Sequence, residues 1–490
     1  MTIPATWRVE KLHDARAMLP IGEYPPWASD AEAILDDTAA LPLSRITDLQ
    51  GVNDYLQEQP LFQVRQLPPR NHETFVPAAL LTDATQGNMN LYSRHSPVSA
   101  DGRFLLAKRP GGYAIWGMRN GEYIRTVADT EWNGLADPLE PRWIPGTAGV
   151  LGYHGYWDGR FYVQQGAHSA IEGWKNRVTL PGQFDGLIAA GNEGAWDNAG
   201  RYWFGKFAGY HAVIDIQRAE ALPGRIPGAF QGCDMMPDGT HAVTLDHIAG
   251  PGGFGMAFYN VEALRLGKVE PIQIDAANVA GGRRIGHTGW GRLKDGAYVL
   301  VYRDDKDDYV KYFDVRTGQS TKVYYMPHLI GPQPIWLTRP DGTRSDQRWN
   351  YSDHFGRMGA ARGWILLSII TGGAQYDELH PMTDRLVMLE LVPEAEGPRL
   401  WHLCHSRNRF ISYFSETLAA MSMNDRQVVW AANNHAQRGL EVLALDLPEQ
   451  WDMILNGEVA PEPPPVDPRQ TITISGVTVH PGFKVTVTPQ

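Results

Sequence analysis

Cysteine is almost missing from this chain: there are 2 in 490 residues, too few for a disulfide framework or a cysteine-rich zinc fold. Cys233 and Cys404 therefore read as isolated thiols. There is no surplus of basic residues either. Lys+Arg 44 against Asp+Glu 55 gives a formal net charge of −11, which disfavours a nucleic-acid backbone as partner, since that needs a clustered basic face. No stretch approaches the ~18 apolar residues of a membrane span. The first ten residues lack the basic start and apolar run of a signal peptide, so the expectation is cytoplasmic synthesis without classical secretion. No Gly-x-Ser-x-Gly nucleophile elbow occurs. The glycine-rich run Gly250–Gly255 has no strand–helix context, which argues against a dinucleotide loop.

What the chain does have is aromatics and turn formers: 16 Trp, 20 Tyr and 15 Phe beside 51 Gly and 35 Pro. That balance favours short strands over long helices. A tight turn followed by a buried apolar run recurs along the sequence, as Asp101-Gly102-Arg103-Phe104 and Asp158-Gly159-Arg160-Phe161. It returns as Asn198-Ala199-Gly200-Arg201-Tyr202, Asp238-Gly239-Thr240-His241 and Asp295-Gly296-Ala297-Tyr298. The last two copies are Arg362-Gly363-Trp364 and Asn424-Asp425-Arg426-Gln427. Each reads as a hairpin turn feeding a strand, and outer strands follow at 309–315, 385–391 and 440–446. Seven units of about four strands predict an all-β, seven-bladed β-propeller over residues 81–458. An unrelated pair of β-sandwiches is the competing architecture.

Residues 1–80 are expected to form a Pro-rich, irregular N-terminal strap holding one short helix around Ser29–Thr38. Residues 459–470 form a stiff Pro-rich linker. Residues 471–490 form a C-terminal β-hairpin from the alternating runs 471–479 and 484–488. A hairpin alone is marginal, so the tail is expected to pair with the chain itself, another copy or a partner's sheet edge. Asp304–Asp308 suits a solvated hairpin tip better than a calcium loop, its spacing not being that of an EF-hand.

In a propeller the segments that begin each blade converge on the central channel. Those segments are polar here: Ser93-Arg94-His95, Glu140-Pro141-Arg142-Trp143, Gly191-Asn192-Glu193, Gly232-Cys233-Asp234, Gly286-His287-Thr288, Asp353-His354 with Gly356-Arg357, and Ser415-Glu416. Such groups are costly to bury unless water, metal or ligand satisfies them. Arg94, His95, Arg142, Trp143 and Arg357 are accordingly the candidate substrate-binding residues.

This order of blade-start residues, together with Cys404-His405-Ser406, resembles the seven-bladed polysaccharide lyases of the oligogalacturonate lyase and ulvan lyase type over roughly residues 88–450. The resemblance implies β-elimination at a uronate, assisted by a divalent cation. His287, His354, His405 and Glu416 are the implied metal set, a donor chemistry that suits zinc or manganese ahead of calcium. The order of His154, His168, Tyr210 and Arg218 is similar to the lyases' His, His, Tyr, Arg order, which makes these four the implied catalytic residues. The same histidines can also serve as hydrogen-bonded blade-top residues, Tyr210 with its neighbour His211 can pack on a blade face, and Arg218 can be solvated.

Two functions of different class follow. One is a lyase-like propeller that acts on, or binds, acidic polysaccharide. The other is a non-catalytic structural, assembly or receptor-binding propeller, such as a bacteriophage virion or tail protein. In the second case the partner is engaged through the C-terminal tail, and homo-oligomerisation is compatible. The net charge of −11 opposes a polyanionic substrate unless the channel is locally basic.

Overall fold

A computed structural model describes residues 9–11, 43–45, 93–109, 112–118, 123–128, 141–146, 151–154, 161–164, 177–179, 187–189, 196–207, 209–218, 220–228, 232–245, 256–274, 285–304, 307, 309–326, 336–338, 344–348, 351–371, 385–406, 417–432, 441–458, 472–474 and 477–479. These residues form antiparallel sheets with almost no helix. The α-helices among them are the five-residue pieces Val261–Arg265 and Trp451–Leu455. No helix among them is long and apolar enough to cross a membrane.

Among the described residues, seven sheets of three to five strands follow one another along the chain, with two separate two-stranded hairpins. The first holds Phe104–Arg109, Gly112–Gly117 and Tyr123–Ala128; the second Arg142–Trp143, Leu151–His154, Phe161–Gln164 and Arg177–Thr179. The third is built on Leu187–Ala189, Tyr202–Phe207 and Tyr210–Asp215, the fourth on Gly232–Met235, His241–Leu245, Met256–Asn260 and Pro271–Gln273. The fifth comprises Ile285–Arg292, Tyr298–Asp304, Tyr309–Asp314 and Gln319–Tyr325. The sixth comprises Tyr351–Phe355, Trp364–Thr371, Arg385–Glu390 and Arg399–His405. Ala420–Met421, Gln427–Ala432 and Glu441–Asp446 make the seventh. Two short strands from the N-terminal region complete the last two sheets. Val9–Lys11 pairs with Arg399–His405, and Leu43–Arg45 pairs with Glu441–Asp446.

Six of the seven turn-and-strand repeats read from the sequence are a turn and a strand here; of the copy at Asp158-Gly159 only the strand Phe161–Gln164 is described, its turn lying outside the described residues. In six sheets the repeat's strand is the second of its sheet or, in the first, follows the bridging residue Val98. The second sheet differs: its repeat strand Phe161–Gln164 is third, and Pro145-Gly146 makes the first turn. The physical reason is that a Gly-containing turn serves any hairpin of a blade, so the motif alone does not fix which one.

Apolar clusters join each sheet to the next. Phe104 and Ile115 pack with Trp143, Ile144 with Trp203 and Ile214, and Phe204 and Val213 with Met235 and Ala257. Val243 and Phe258 pack with Trp290 and Leu300. One large cluster runs from Val301 and Tyr324 through Trp364 and Leu389 to Trp430 and Leu443. Val429 and Ala444 of the seventh sheet then pack on Leu105 and Ala107 of the first. The packing therefore returns to its start, and the arrangement is propeller-like.

The C-terminal hairpin lies within the first of its two alternating runs: Ile472–Ile474 pairs with Val477–Val479. The sequence Ser475-Gly476 between them is a turn signal, so the fold-back comes earlier than expected. Residues 484–488, the linker and the short helix expected at Ser29–Thr38 lie outside the described residues.

Candidate functional site

The first strands of the fifth and sixth sheets come close enough to hydrogen-bond. Trp290 of the fifth sheet and Arg357, just past the first strand of the sixth, form a parallel bridge. Trp290 N donates to Gly356 O at 3.1 Å, and Met358 N donates to Trp290 O at 2.8 Å. This approach carries the polar blade-start residues inward, where they meet residues from sheets that are not sequence neighbours.

Arg94, leading into the first sheet, donates to Thr288 Oγ1 of the fifth and lies 3.9 Å from Asp234 Oδ2 of the fourth. Arg357 reaches the fourth sheet through Nη1 to Asp234 Oδ1 at 3.2 Å. It reaches the third through Nε to Asn198 Oδ1 at 3.3 Å and through Nη2 to the Trp196 carbonyl. Contacts spanning the first, third, fourth, fifth and sixth sheets can only cross the middle of the arrangement.

Over these contacts lies a pocket of ≈ 500 Å³, part of it continuous with solvent, lined by residues that include Arg94, His95, Arg142, Trp143, Trp196 and Arg357. All five residues put forward from the sequence as substrate-binding line it. Trp143 is fixed by its Nε1, which donates to Pro97 O at 2.9 Å. Among the described residues, no Asp or Glu lines the pocket. Beneath it lies Asp234, which is fully buried and accepts Trp290 Nε1 at 2.7 Å and its neighbour Met235 N at 2.7 Å. Burial pushes its pKa up to about 6, against the pull of Arg357 and Arg94. The chain is net negative, but this pocket is locally positive. An anion therefore meets guanidinium donors in a site of reduced dielectric, where charge-assisted hydrogen bonds are strong. Trp143 and Trp196 add flat apolar walls.

The residues implied as catalytic are placed elsewhere or lie beyond description. Tyr210 opens the strand Tyr210–Asp215, stacks on Phe207 at 4.9 Å between centroids and carries the Arg225 guanidinium on its ring. Arg218 follows the other end of that strand, exposed, 3.7 Å from Glu220 Oε1. The two are not brought together, and neither lines the pocket. His154 ends the strand Leu151–His154; its side chain and the whole of His168 lie outside the described residues.

Of the metal set, His287 and His354 are brought together, their rings 4.0 Å apart at an interplanar angle of 33°. His405 ends the fourth strand of the sixth sheet, three strands and so about 14 Å from the strand of His354. Glu416 lies outside the described residues. No group of three or more His, Cys, Asp or Glu that could hold a metal occurs among the described residues, and two imidazoles fall short of the three protein ligands usual for catalytic zinc. At the acidic hairpin tip, Lys311 Nζ lies 2.5 Å from Asp304 and 3.0 Å from Asp307. These carboxylates are thus paired with a lysine. Both cysteines are buried, and Cys233 Sγ donates to Phe204 O at 3.2 Å.

Asp234, Asn198 and Trp196 belong to the site and were not singled out from the sequence. Asp234 stood in a blade-start segment, but nothing local marks it as the partner of two arginines more than a hundred residues away.

No family model and no curated relative matches the chain. Among solved structures it is similar to an oligogalacturonate lyase in complex with manganese, with 11% identity over 76% of this chain and 93% of that one, TM-score 0.48. It is similar to the oligogalacturonate lyase of Vibrio parahaemolyticus, with 11% identity over 76% and 94%, TM-score 0.47. It is also similar to the WD40 repeats of RRP9, with 9% identity over 76% and 97%, TM-score 0.44. The chain thus bears a weak structural resemblance to oligogalacturonate lyases.

Proposed function

We propose that this chain is a seven-bladed β-propeller whose central pocket takes the carboxylate of an acidic sugar, and that it is a lyase-like protein of uronate-containing polysaccharide. The observation that carries this reading is the pocket: three arginines, two tryptophans and a histidine, with no carboxylate among its described lining residues. Seven successive sheets, with the seventh packed on the first, support the blade count.

Recognition and elimination ask for the same groups. Arg142 and Arg357 hold the uronate carboxylate, and they hold it more tightly as the C5 proton leaves and charge moves onto it. His95 is the lining residue able to exchange a proton near neutral pH. Elimination transfers the C5 proton to this base, forms the C4–C5 double bond and releases the C4 oxygen with a proton. A divalent metal held by His287 and His354 with further ligands would supply Lewis-acid chemistry; the described donors do not complete such a site, and no step above depends on it.

The test is a panel of uronate oligosaccharides with binding and ultraviolet absorbance readouts, run with manganese and with chelator. Binding of one polymer class is expected, weakened about ten- to a hundredfold by Arg357→Ala or Arg142→Ala, as for loss of a charge-assisted bond. If no uronate binds or is cleaved in either condition, the reading fails. The assembly role then takes its place. What favours that role is the hairpin Ile472–Ile474 with Val477–Val479, which pairs with no other described strand.

A further inference from the structure

Asp234 lies beneath two of the three pocket arginines, Arg94 and Arg357, without lining the pocket. It is the negative charge already seated in a site that would otherwise present three guanidiniums. Its own side chain is fully buried, so water does not compensate it freely. We propose that Asp234 is the built-in counter-charge of the pocket, and that an external anion binding beside Arg94 and Arg357 is accompanied by uptake of a proton on Asp234. The proposal rests on the acidic-ligand reading.

The argument is one of shared partners. An anion beside Arg94 and Arg357 places a second negative charge within reach of the same two guanidiniums. In a poorly screened interior, like charges at one site raise each other's proton affinity. The external acid is the stronger one and stays ionised; Asp234, already pushed up to about 6 by burial, is the group that gives way. By linkage, whatever raises proton affinity on binding makes binding tighter as pH falls.

Protonation does not release the arginines. Arg357 keeps the Trp196 carbonyl and Asn198 Oδ1, and Arg94 keeps Thr288 Oγ1. The charged groups facing Asp234 are Arg94 and Arg357. Arg357 also faces the Asp197 carboxylate, which caps its own turn by accepting the backbone N–H of Arg201 and of Tyr202, each at 2.8 Å. His95, on the pocket wall, and Asp197, whose pKa burial raises, are other groups able to take up a proton.

Calorimetry of trigalacturonate and of inorganic sulfate, in two buffers of different ionisation enthalpy near neutral pH, measures the uptake directly. A net uptake of a fraction of one proton is expected. Affinity should rise about tenfold from about pH 7.5 to about pH 5.5. Uptake should survive in His95→Gln and vanish in Asp234→Asn. Because Asp234→Asn opposes an amide N–H to Trp290 Nε1 and can misfold, the wild-type protein supplies a second reading. Infrared difference spectra should gain a protonated-carboxyl band when sulfate, which has no carboxyl, is bound. Binding without uptake, loss of uptake in His95→Gln, retained uptake in a folded Asp234→Asn, or absence of that band overturns the proposal and leaves the acidic-sugar reading standing. If neither probe binds, both fall.

Discussion

At the residue scale, the first turn of each sheet carries one left-handed residue. Six are glycine, at 102, 146, 200, 239, 296 and 363, with φ between 64° and 92°. The seventh is Asp425, at φ 54°. An aspartate accepts that conformation more readily than most side chains, but still at a cost glycine avoids. Its carboxylate explains the exception. It accepts the backbone N–H of Gly359 at 2.8 Å and of Ala361 at 2.7 Å, with Ala360 between them, and so ties the turn of the seventh sheet to that of the sixth. Glycine at 425 would relieve the backbone but strand three donors. We expect Asp425→Gly to cost about 3 kcal/mol, Asp425→Ala more because it loses the carboxylate and keeps the strain, and Asp425→Asn less. Urea unfolding of the three variants gives the order, and a glycine variant as stable as wild type would remove the clip from the account.

At the element scale, the pocket depends on how closely first strands approach. A Cβ on Gly289 would lie 2.4 Å from Gly356 O and 2.5 Å from Phe355 Cβ, so the fifth and sixth sheets can meet only with glycine there. Gly289→Ala should push these strands apart, costing about 2 kcal/mol as overpacking. It should also weaken anion binding, because Trp290 and Arg357 move with them. Melting curves and the uronate binding assay read the two effects, and an unaltered affinity would mean that the pocket tolerates the shift. The strands themselves were legible in sequence, since a Gly turn followed by alternating or continuous apolar residues has few other outcomes. Their place in a blade was less so, as Phe161–Gln164 illustrates: hairpins within one sheet share the same turn chemistry.

At the scale of the whole molecule, the last two sheets are completed by strands far apart in sequence. Leu43–Arg45 lies on the edge of the seventh sheet and Val9–Lys11 on that of the sixth. We expect deletion of residues 1–45, which exposes both edges, to cost on the order of 3 kcal/mol in lost hydrogen bonds and to promote association through the bared strands. Unchanged unfolding and a monodisperse sedimentation profile would show that the circle holds without them.

What the sequence determined by itself was local and periodic. Turn residues, apolar runs and their recurrence specified strands and an all-β architecture, because these follow from short-range sterics and a repeating burial pattern. It also marked Arg94, His95, Arg142, Trp143 and Arg357 as polar residues at blade starts. Which of them share a partner was decided only by tertiary structure. Arg94 and Arg357 meet at Asp234 across the middle of the molecule, while Tyr210 and Arg218, eight positions apart, are held at opposite ends of an extended strand. A strand separates its near neighbours by more than 3 Å per residue, and a closed circle of sheets brings distant segments to one axis; no spacing in the sequence encodes that reversal.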